Sequence, residues 1–218
     1  MTYVSTACVS AIGTPSDATL RERRMVPLGA ALWTGSGELA ARGIEGIAHA
    51  ASGAMTVAGE AGFDPTRESV RASIRNAFVL AAGHGCRRLA LPFIAGGIFA
   101  GRIRPPIDKT GLAALIVAAC RDHRSNVEAV IVAFGEDDHA AFARALADAA
   151  DPGTTLVEGS ITRFADHGAE AIVNAANMEV RFGGGISGVI GKATGDAGAI
   201  DREAAAAIEA FWARNPPG

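Results

Sequence analysis

A run of glycines between residues 183 and 195 has the residue types and the spacing of a phosphate-binding loop. Gly183, Gly185 and Gly188 satisfy the pattern G-x-G-x-x-G and open a segment with helical character, GGISGVIGKATG. Glycine lets the backbone approach an anion closely, and the free N–H groups at the start of a helix favour negative charge. The segment therefore predicts a site for a phosphate or a diphosphate.

The sequence around these glycines differs from a dinucleotide-binding fold. In that fold the first glycine directly follows a strand, and an acidic residue about twenty positions later ends the next strand. Here NAANMEVRF separates the predicted strand from Gly183, and the acidic residues that follow, Glu203 and Glu209, lie in a predicted helix. An NAD-dependent oxidoreductase is therefore a disfavoured alternative.

A second glycine-rich loop follows another predicted strand, in LALPFIAGGIFAG at 89–101. The polar motif NAAN at 174–177 lies shortly before the first loop. Two such loops at strand ends can hold a diphosphate between them. The alternative is that both loops are ordinary turns.

Composition narrows the class of protein further. The chain has 218 residues, 49 % of them hydrophobic, and its net charge of −3 gives no field that attracts a polyanion. The three cysteines are far apart and the five histidines are dispersed, so the sequence predicts no metal site and no cofactor. It contains no signal peptide pattern and no long apolar stretch. We expect a cytoplasmic protein that binds neither a membrane nor extended nucleic acid.

Strand and helix patterns alternate along the chain, which predicts an α/β layered domain. Strand patterns occupy residues 2–12, 30–35, 43–51, 87–95, 127–134, 154–162 and 169–176, and a polar connector follows the first of them up to residue 27. Helical patterns occupy residues 65–83, 111–123, 137–150, 184–194 and 201–215, and 38–42 can form one helical turn.

Several of these motifs resemble the macro domain family, whose members bind ADP-ribose. Three of them stand in the family's order and spacing: GSIT at 159–162, AIVNAAN at 171–177 and GGGISGVI at 183–190. The segments that follow in the family lie earlier in this chain: GAALWTGSG at 29–37, GIAHA at 46–50, LPFIAGGIF at 91–99 and VIVAFGEDDHAAF at 130–142. The chain therefore resembles a circularly permuted macro domain.

The resemblance implies a three-layer α/β/α fold with a central mixed sheet and a permuted strand order. It implies one macro-like domain over residues 1–218, with 1–27 as an N-terminal extension. Residues 28–150 would correspond to the usual C-terminal part, and 153–214 to the usual N-terminal part. Such a permutation is physically accessible because domain termini often lie close together at the surface.

The resemblance also implies a role for individual residues. Asn177 would bond the hydroxyls of the distal ribose, Asn174 would hold its loop in place, and Phe99 would pack against the distal ribose. Phe134 would stack on adenine, with core packing as the alternative. The two loops would enclose the diphosphate, and Ser160 and Ile161 would lie near the base; the loop residues are Ala95, Gly96, Gly97, Ile98, Gly183, Gly184, Gly185, Ile186, Ser187 and Gly188.

Two residues depart from the family pattern. Ser160 stands where many members have an aspartate that accepts a hydrogen bond from the adenine amino group, so adenine selectivity is open. Ser187 stands where hydrolytic members have an aspartate, and a serine hydroxyl takes up no proton at neutral pH. Asp196, Asp201 and Lys192 are candidates to replace that carboxylate, although surface helix charges explain them better.

The sequence therefore favours a protein that binds ADP-ribose, free or as protein-linked mono-ADP-ribose, and leaves hydrolysis of the terminal ADP-ribosyl linkage open. The main alternative is a non-catalytic reader or buffer module. A scaffold with a decayed pocket and an NAD-dependent oxidoreductase are less favoured. The expected partner is ADP-ribose or an ADP-ribosylated protein, and the oligomeric state is not predicted.

Overall fold

A six-stranded mixed sheet forms the centre of the structure, a computed structural model that describes residues 15–54, 63–97 and 99–217. The strands are β1 Ala31–Gly35, β2 Gly46–Ala51, β3 Arg88–Leu91, β4 Glu128–Ala133, β5 Thr154–Glu158 and β6 Ala171–Ala176. Their order in the sheet is β1-β2-β6-β3-β4-β5. Strand β1 is antiparallel to β2, and every other neighbouring pair is parallel.

Seven helices accompany these strands in the described residues. They are α1 Asp17–Glu22, α2 Arg67–Gly83, α3 Lys109–His123, α4 Glu136–Ala149, α5 Phe164–His167, α6 Gly185–Ala193 and α7 Ala197–Arg214. Short 3-10 turns cover Gly37–Arg42 and Ala100–Arg102. None of the helices in the described chain has both the length and the apolar character needed to cross a membrane.

The two faces of the sheet carry separate helix layers. On one face Ala129 and Ile131 of β4 belong to a core with residues of α2, α3 and α4. On the other face Val130 and Val132 pack with Ile190 of α6, and α7 packs beside Leu32 of β1. This alternation is what a strand buried on both faces requires. The predicted three-layer α/β/α fold with a mixed sheet is confirmed.

Strand β6 is the last strand in the described sequence, yet it lies inside the sheet between β2 and β3. Its six residues pair with β2 over their full length, and Ala171 and Ile172 pair with β3. The end of α7 also returns to the amino-terminal part of the chain, because the Trp212 indole donates a 2.9 Å hydrogen bond to the carbonyl of Met25. Two contacts therefore join parts of the chain that are far apart in the sequence: the pairing of β6 with β2 and β3, and the hydrogen bond between Trp212 and Met25.

Three sequence predictions need correction at their boundaries. The strand predicted at 87–95 ends at Leu91, because Pro92 has no N–H to donate and Ala95 has a φ of 58°. The strand predicted at 154–162 ends at Glu158, where Asp166 accepts a hydrogen bond from the Ser160 N–H. The predicted polar connector contains α1, and the strand predicted at 2–12 lies outside the described residues.

A buried hydrogen-bond chain crosses three strands of the sheet. The Thr34 hydroxyl donates to the carbonyl of Gly35, so its oxygen accepts from Nε2–H of His49 at 2.8 Å. The Nδ1 atom of His49 then accepts from the Asn174 amide at 3.1 Å. This pattern of hydrogen bonds requires the His49 imidazole to be neutral. Burial also lowers the pKa of His49 to about 3.

This neutral histidine makes stability depend on pH. Between about pH 6.5 and about pH 3 the unfolded chain takes up a proton at His49 and the folded chain does not. The free energy of unfolding then falls by up to about 1.4 kcal/mol per pH unit as pH decreases. We expect His49→Gln to be less stable than the native chain by about 1–3 kcal/mol near pH 7, because it disrupts the buried hydrogen bonds. The difference in the free energy of unfolding between the native chain and His49→Gln should narrow towards about pH 4.5, because His49 contributes its pH dependence only in the native chain.

Urea unfolding followed by circular dichroism across this pH range measures both free energies. A gap between the native chain and His49→Gln that stays constant with pH would show that His49 is charged in the folded state.

Candidate functional site

A cavity of about 420 Å³ lies at the edge of the sheet where the parallel strands end. Its volume falls in the range of small-molecule sites. Apolar groups form most of its wall. The wall consists of Pro92, Phe93, Gly96, Gly97, Val132, Phe134, Asp138, Gly159, Ser160, Ile161, Gly185, Ile186 and Val189.

The fold explains why these residues meet. Pro92 directly follows β3, Phe134 follows β4 and Gly159 follows β5, while α6 begins shortly after β6. The carboxyl ends of parallel strands share one edge, and ligands of α/β sheets bind in the crevice at that edge. The cavity therefore occupies the usual position of a ligand site in this architecture.

The loop after β3 brings Gly96 and Gly97 to the cavity. A Cβ on Gly96 would lie 2.7 Å from Cγ of Phe93, so a larger residue does not fit there. A Cβ on Gly97 would meet no atom within 4 Å, so this backbone borders open space. Ala95 is buried and outside the wall, and Ile98 lies outside the described residues.

The second glycine loop leads into α6 without a side-chain cap. Gly184 is the N-cap residue, and the first turn of α6 contains no acidic side chain. Gly185 has a φ of 60°, which favours glycine, and a Cβ there would meet no atom within 4 Å. A Cβ on Gly188 would overlap the carbonyl of Gly183. The helix start therefore presents backbone amides beside the open cavity, the arrangement that favours an anion.

Phe134 is 82 % exposed, although it immediately follows a buried strand. The alternative that it packs in the core is therefore wrong. Val189, on α6, is 51 % exposed and borders the same cavity. Exposed apolar side chains at a concave site offer a surface for a flat apolar ligand group.

Ser160 and Ile161 border the cavity and are fixed by their neighbours. The Ser160 hydroxyl lies 3.0 Å from that of Thr162, and the Ile161 carbonyl accepts from Nε2–H of His167 at 3.0 Å. Nδ1 of His167 accepts from the N–H of Ala169, so the ring is neutral, and burial lowers its pKa. The turn after β5 is therefore held in place by its own hydrogen bonds.

Both asparagines of the NAAN motif have structural contacts. Asn174 lies in β6, within the strand predicted at 169–176, and bonds His49, so it holds two strands together and not the loop that follows. The Asn177 side chain closes the loop that follows β6, because it accepts from the N–H of Arg181 at 3.0 Å and donates to its carbonyl at 3.1 Å. Neither side chain forms part of the cavity wall.

Other residues expected at the site also lie outside the cavity wall. Phe99 is buried beside Gly53, with the Arg102 guanidinium 5.2 Å from its ring centre. Ser187 is buried, and its hydroxyl has no hydrogen-bond partner among the described residues. Gly183, Gly184 and Gly188 support the loop without lining the cavity.

The candidate substitutes for a catalytic carboxylate are not in the cavity wall either. Asp196 caps α7 by accepting from the N–H of Ala199, and Asp201 accepts from the N–H of Phe182 at 3.0 Å. Lys192 lies in the last turn of α6. Among the residues that the structure describes, no group of three His, Cys, Asp or Glu side chains could hold a metal ion.

Asp138, the charged side chain of the described cavity wall, was not predicted from the sequence. It lies in the first turn of α4, four positions after Phe134, and its Oδ1 is 2.6 Å from Nζ of Lys109. This carboxylate raises the pKa of Lys109, mainly through the hydrogen bond. Its position four residues after Phe134 was the one feature of the sequence that could have indicated a place in the site. Acidic residues in the first turn of a helix are, however, already explained by the helix dipole.

Comparison with known proteins identifies one family. The family model described as Macro domain matches residues 4–105. The match includes β1, β2, β3 and the glycine loop at Gly96 and Gly97. No curated protein sequence matches the chain. By this family match and by its six-stranded sheet between helix layers, the chain is similar to the macro domain family.

Proposed function

We propose that this chain binds ADP-ribose, either free or attached to a protein as mono-ADP-ribose. Macro domains generally bind this ligand. The observation that carries the proposal is the convergence of two glycine loops and an exposed phenylalanine on one cavity. A diphosphate between a flat base and a sugar needs such a combination of backbone amides and an apolar surface.

The wall suggests where each part of the ligand binds. Gly97 and Gly185 border open space from opposite loops, which suits a diphosphate between them. The uncapped amides of α6 would donate to its oxygens. Adenine would stack on Phe134, whose ring is exposed before any ligand binds.

The same wall favours binding over hydrolysis. Its described residues include one carboxylate, Asp138, which shares a strand-to-helix connection with Phe134, the proposed base platform. Ser187 offers a buried hydroxyl, which does not act as a general base at neutral pH. We therefore favour a reader or buffer of ADP-ribose over an ADP-ribosyl hydrolase.

We also propose that the order of segments is a circular permutation, as the motif order predicts. Two facts support it: β6 lies between β2 and β3, and Trp212 bonds the carbonyl of Met25. The last of these brings the end of the 153–214 segment close to the start of the 28–150 segment. Joining the two would restore the motif order of the family.

Rearranging the chain tests the permutation. A variant that begins at residue 151, joins residue 215 to residue 16 through about ten flexible residues and ends at residue 150 keeps every described strand and helix and the buried Asp151–Arg124 ion pair. We expect it to fold cooperatively and to bind ADP-ribose within about threefold of the native affinity. Failure to fold would argue against the proposed equivalence of segments.

The diphosphate site can be tested by adding negative charge at Gly97. We expect Gly97→Glu to weaken ADP-ribose binding by roughly 100-fold, about 2.7 kcal/mol, because a carboxylate would face the diphosphate. Gly101→Glu is a matched control, since a Cβ there also meets no atom within 4 Å and Gly101 is outside the cavity wall. Isothermal titration calorimetry measures both affinities.

Native-like affinity in Gly97→Glu would contradict the proposed diphosphate position. Absence of ADP-ribose binding to the native chain would contradict the proposed function itself.

Removal of the Phe134 ring tests the base platform. We expect Phe134→Ala to lose about 1–3 kcal/mol of binding free energy, the usual value of stacking on one base. The melting temperature should stay close to native, because the ring is 82 % exposed and contributes little to the core. Phe134→Ala should weaken the binding of ADP by the same factor, because ADP keeps the base. If the variant and the native protein bind both ligands with equal affinity, stacking on Phe134 is excluded.

A further inference from the structure

The cavity wall combines an apolar lining with one carboxylate. Around the exposed Phe134 ring lie apolar groups such as Val132, Ile161 and Val189. Asp138 is the one charged side chain in the described part of this wall, and it is 23 % exposed. A charged group partly withdrawn from water needs polar partners, so its position beside a ligand cavity limits which ligands fit.

Lys109 uses only part of the hydrogen-bonding capacity of the Asp138 carboxylate. Its Nζ contacts Oδ1 at 2.6 Å, and the two oxygens of an ionised carboxylate together accept several hydrogen bonds. The ion pair also neutralises the aspartate, so the cavity does not carry an uncompensated negative charge that would repel a diphosphate. Asp138 can therefore accept a further hydrogen bond without opposing an anionic ligand.

The other polar side chain of the described wall is less available. The Ser160 hydroxyl lies 3.0 Å from that of Thr162 and 3.4 Å from the Thr162 N–H, which donates to it. Its interactions hold the turn after β5 in place. The wall thus offers one strong acceptor, an ionised carboxylate, near a ring on which a base can stack.

An ionised carboxylate accepts hydrogen bonds and donates none. Among flat bases, adenine carries a donor amino group at the position where hypoxanthine carries an acceptor oxygen. An acceptor facing that position attracts the first base and repels the second.

We propose that Asp138 is the specificity-determining residue of the cavity, which selects adenine by accepting a hydrogen bond from its exocyclic amino group. This inference rests on the proposed binding of ADP-ribose. Lys109 acts as a positioning residue that holds the carboxylate and compensates its charge.

Titration with two ligands that differ at one position tests this role. ADP-ribose and inosine diphosphate ribose share the ribose and diphosphate groups, and only the first has the amino group. We expect the native chain to prefer ADP-ribose by about 10-fold or more, and Asp138→Ala to reduce this preference to about twofold or less. Asp137→Ala is the matched control, because Asp137 is exposed in the same helical turn and lies outside the cavity wall. It should keep the native preference.

A second variant separates selection from charge compensation. Lys109→Met should weaken both ligands by a similar factor, since it leaves an uncompensated negative charge in a cavity that binds anionic ligands, and it should keep the preference for ADP-ribose.

The outcomes distinguish this inference from the proposed function. A native preference that persists in Asp138→Ala but disappears in Ser160→Ala would assign base selection to Ser160 and overturn the inference. Equal binding of both ligands to the native chain would also overturn it, and would leave ADP-ribose binding intact. If neither ligand binds the native chain, the proposed function fails.

Discussion

The pairing of β6 with both β2 and β3 is the interaction on which the rest of the structure depends. Strand β2 pairs otherwise only with β1, and β3 pairs otherwise only with β4. Without β6 the sheet would consist of two separate parts, β1-β2 and β3-β4-β5. The buried contact between Asn174 and His49 adds a side-chain link across the β6–β2 pair. Because all the parallel strands then share one direction, their carboxyl ends meet at a single edge and create the cavity.

Much of this architecture could be predicted from local sequence. Apolar positions at helical spacing, such as Val70, Ile74 and Phe78, predicted α2, and its observed bounds agree closely. Glycine patterns predicted both loops that border the cavity, because few other residues tolerate the required backbone conformation or close approach. The errors concern strand ends, where Pro92 and the turn held by Asp166 stop a pattern that composition alone would continue.

The composition of the site was harder to predict. Asn177 and Phe99 have the residue types of ligand contacts, but a local loop closure occupies the first and core packing the second. Asp138 was missed because acidic residues are common in the first turn of a helix. Its place in the cavity wall arises from where α4 begins relative to β4 and β5, which is a property of the sheet and not of the nearby sequence. Local patterns therefore identify loops more reliably than they identify the side chains that face a ligand.

The position of β6 has a consequence for synthesis of the chain. A ribosome makes β1 to β5 before it makes β6, the strand that connects them. Until residues 171–176 emerge, β2 and β3 each have an unpaired edge whose N–H and C=O groups are open to other strands. Nascent chains with such edges are prone to incorrect association. The chain therefore depends on its last described strand to protect the centre of its own sheet, and truncation before β6 should favour aggregation over a smaller folded domain.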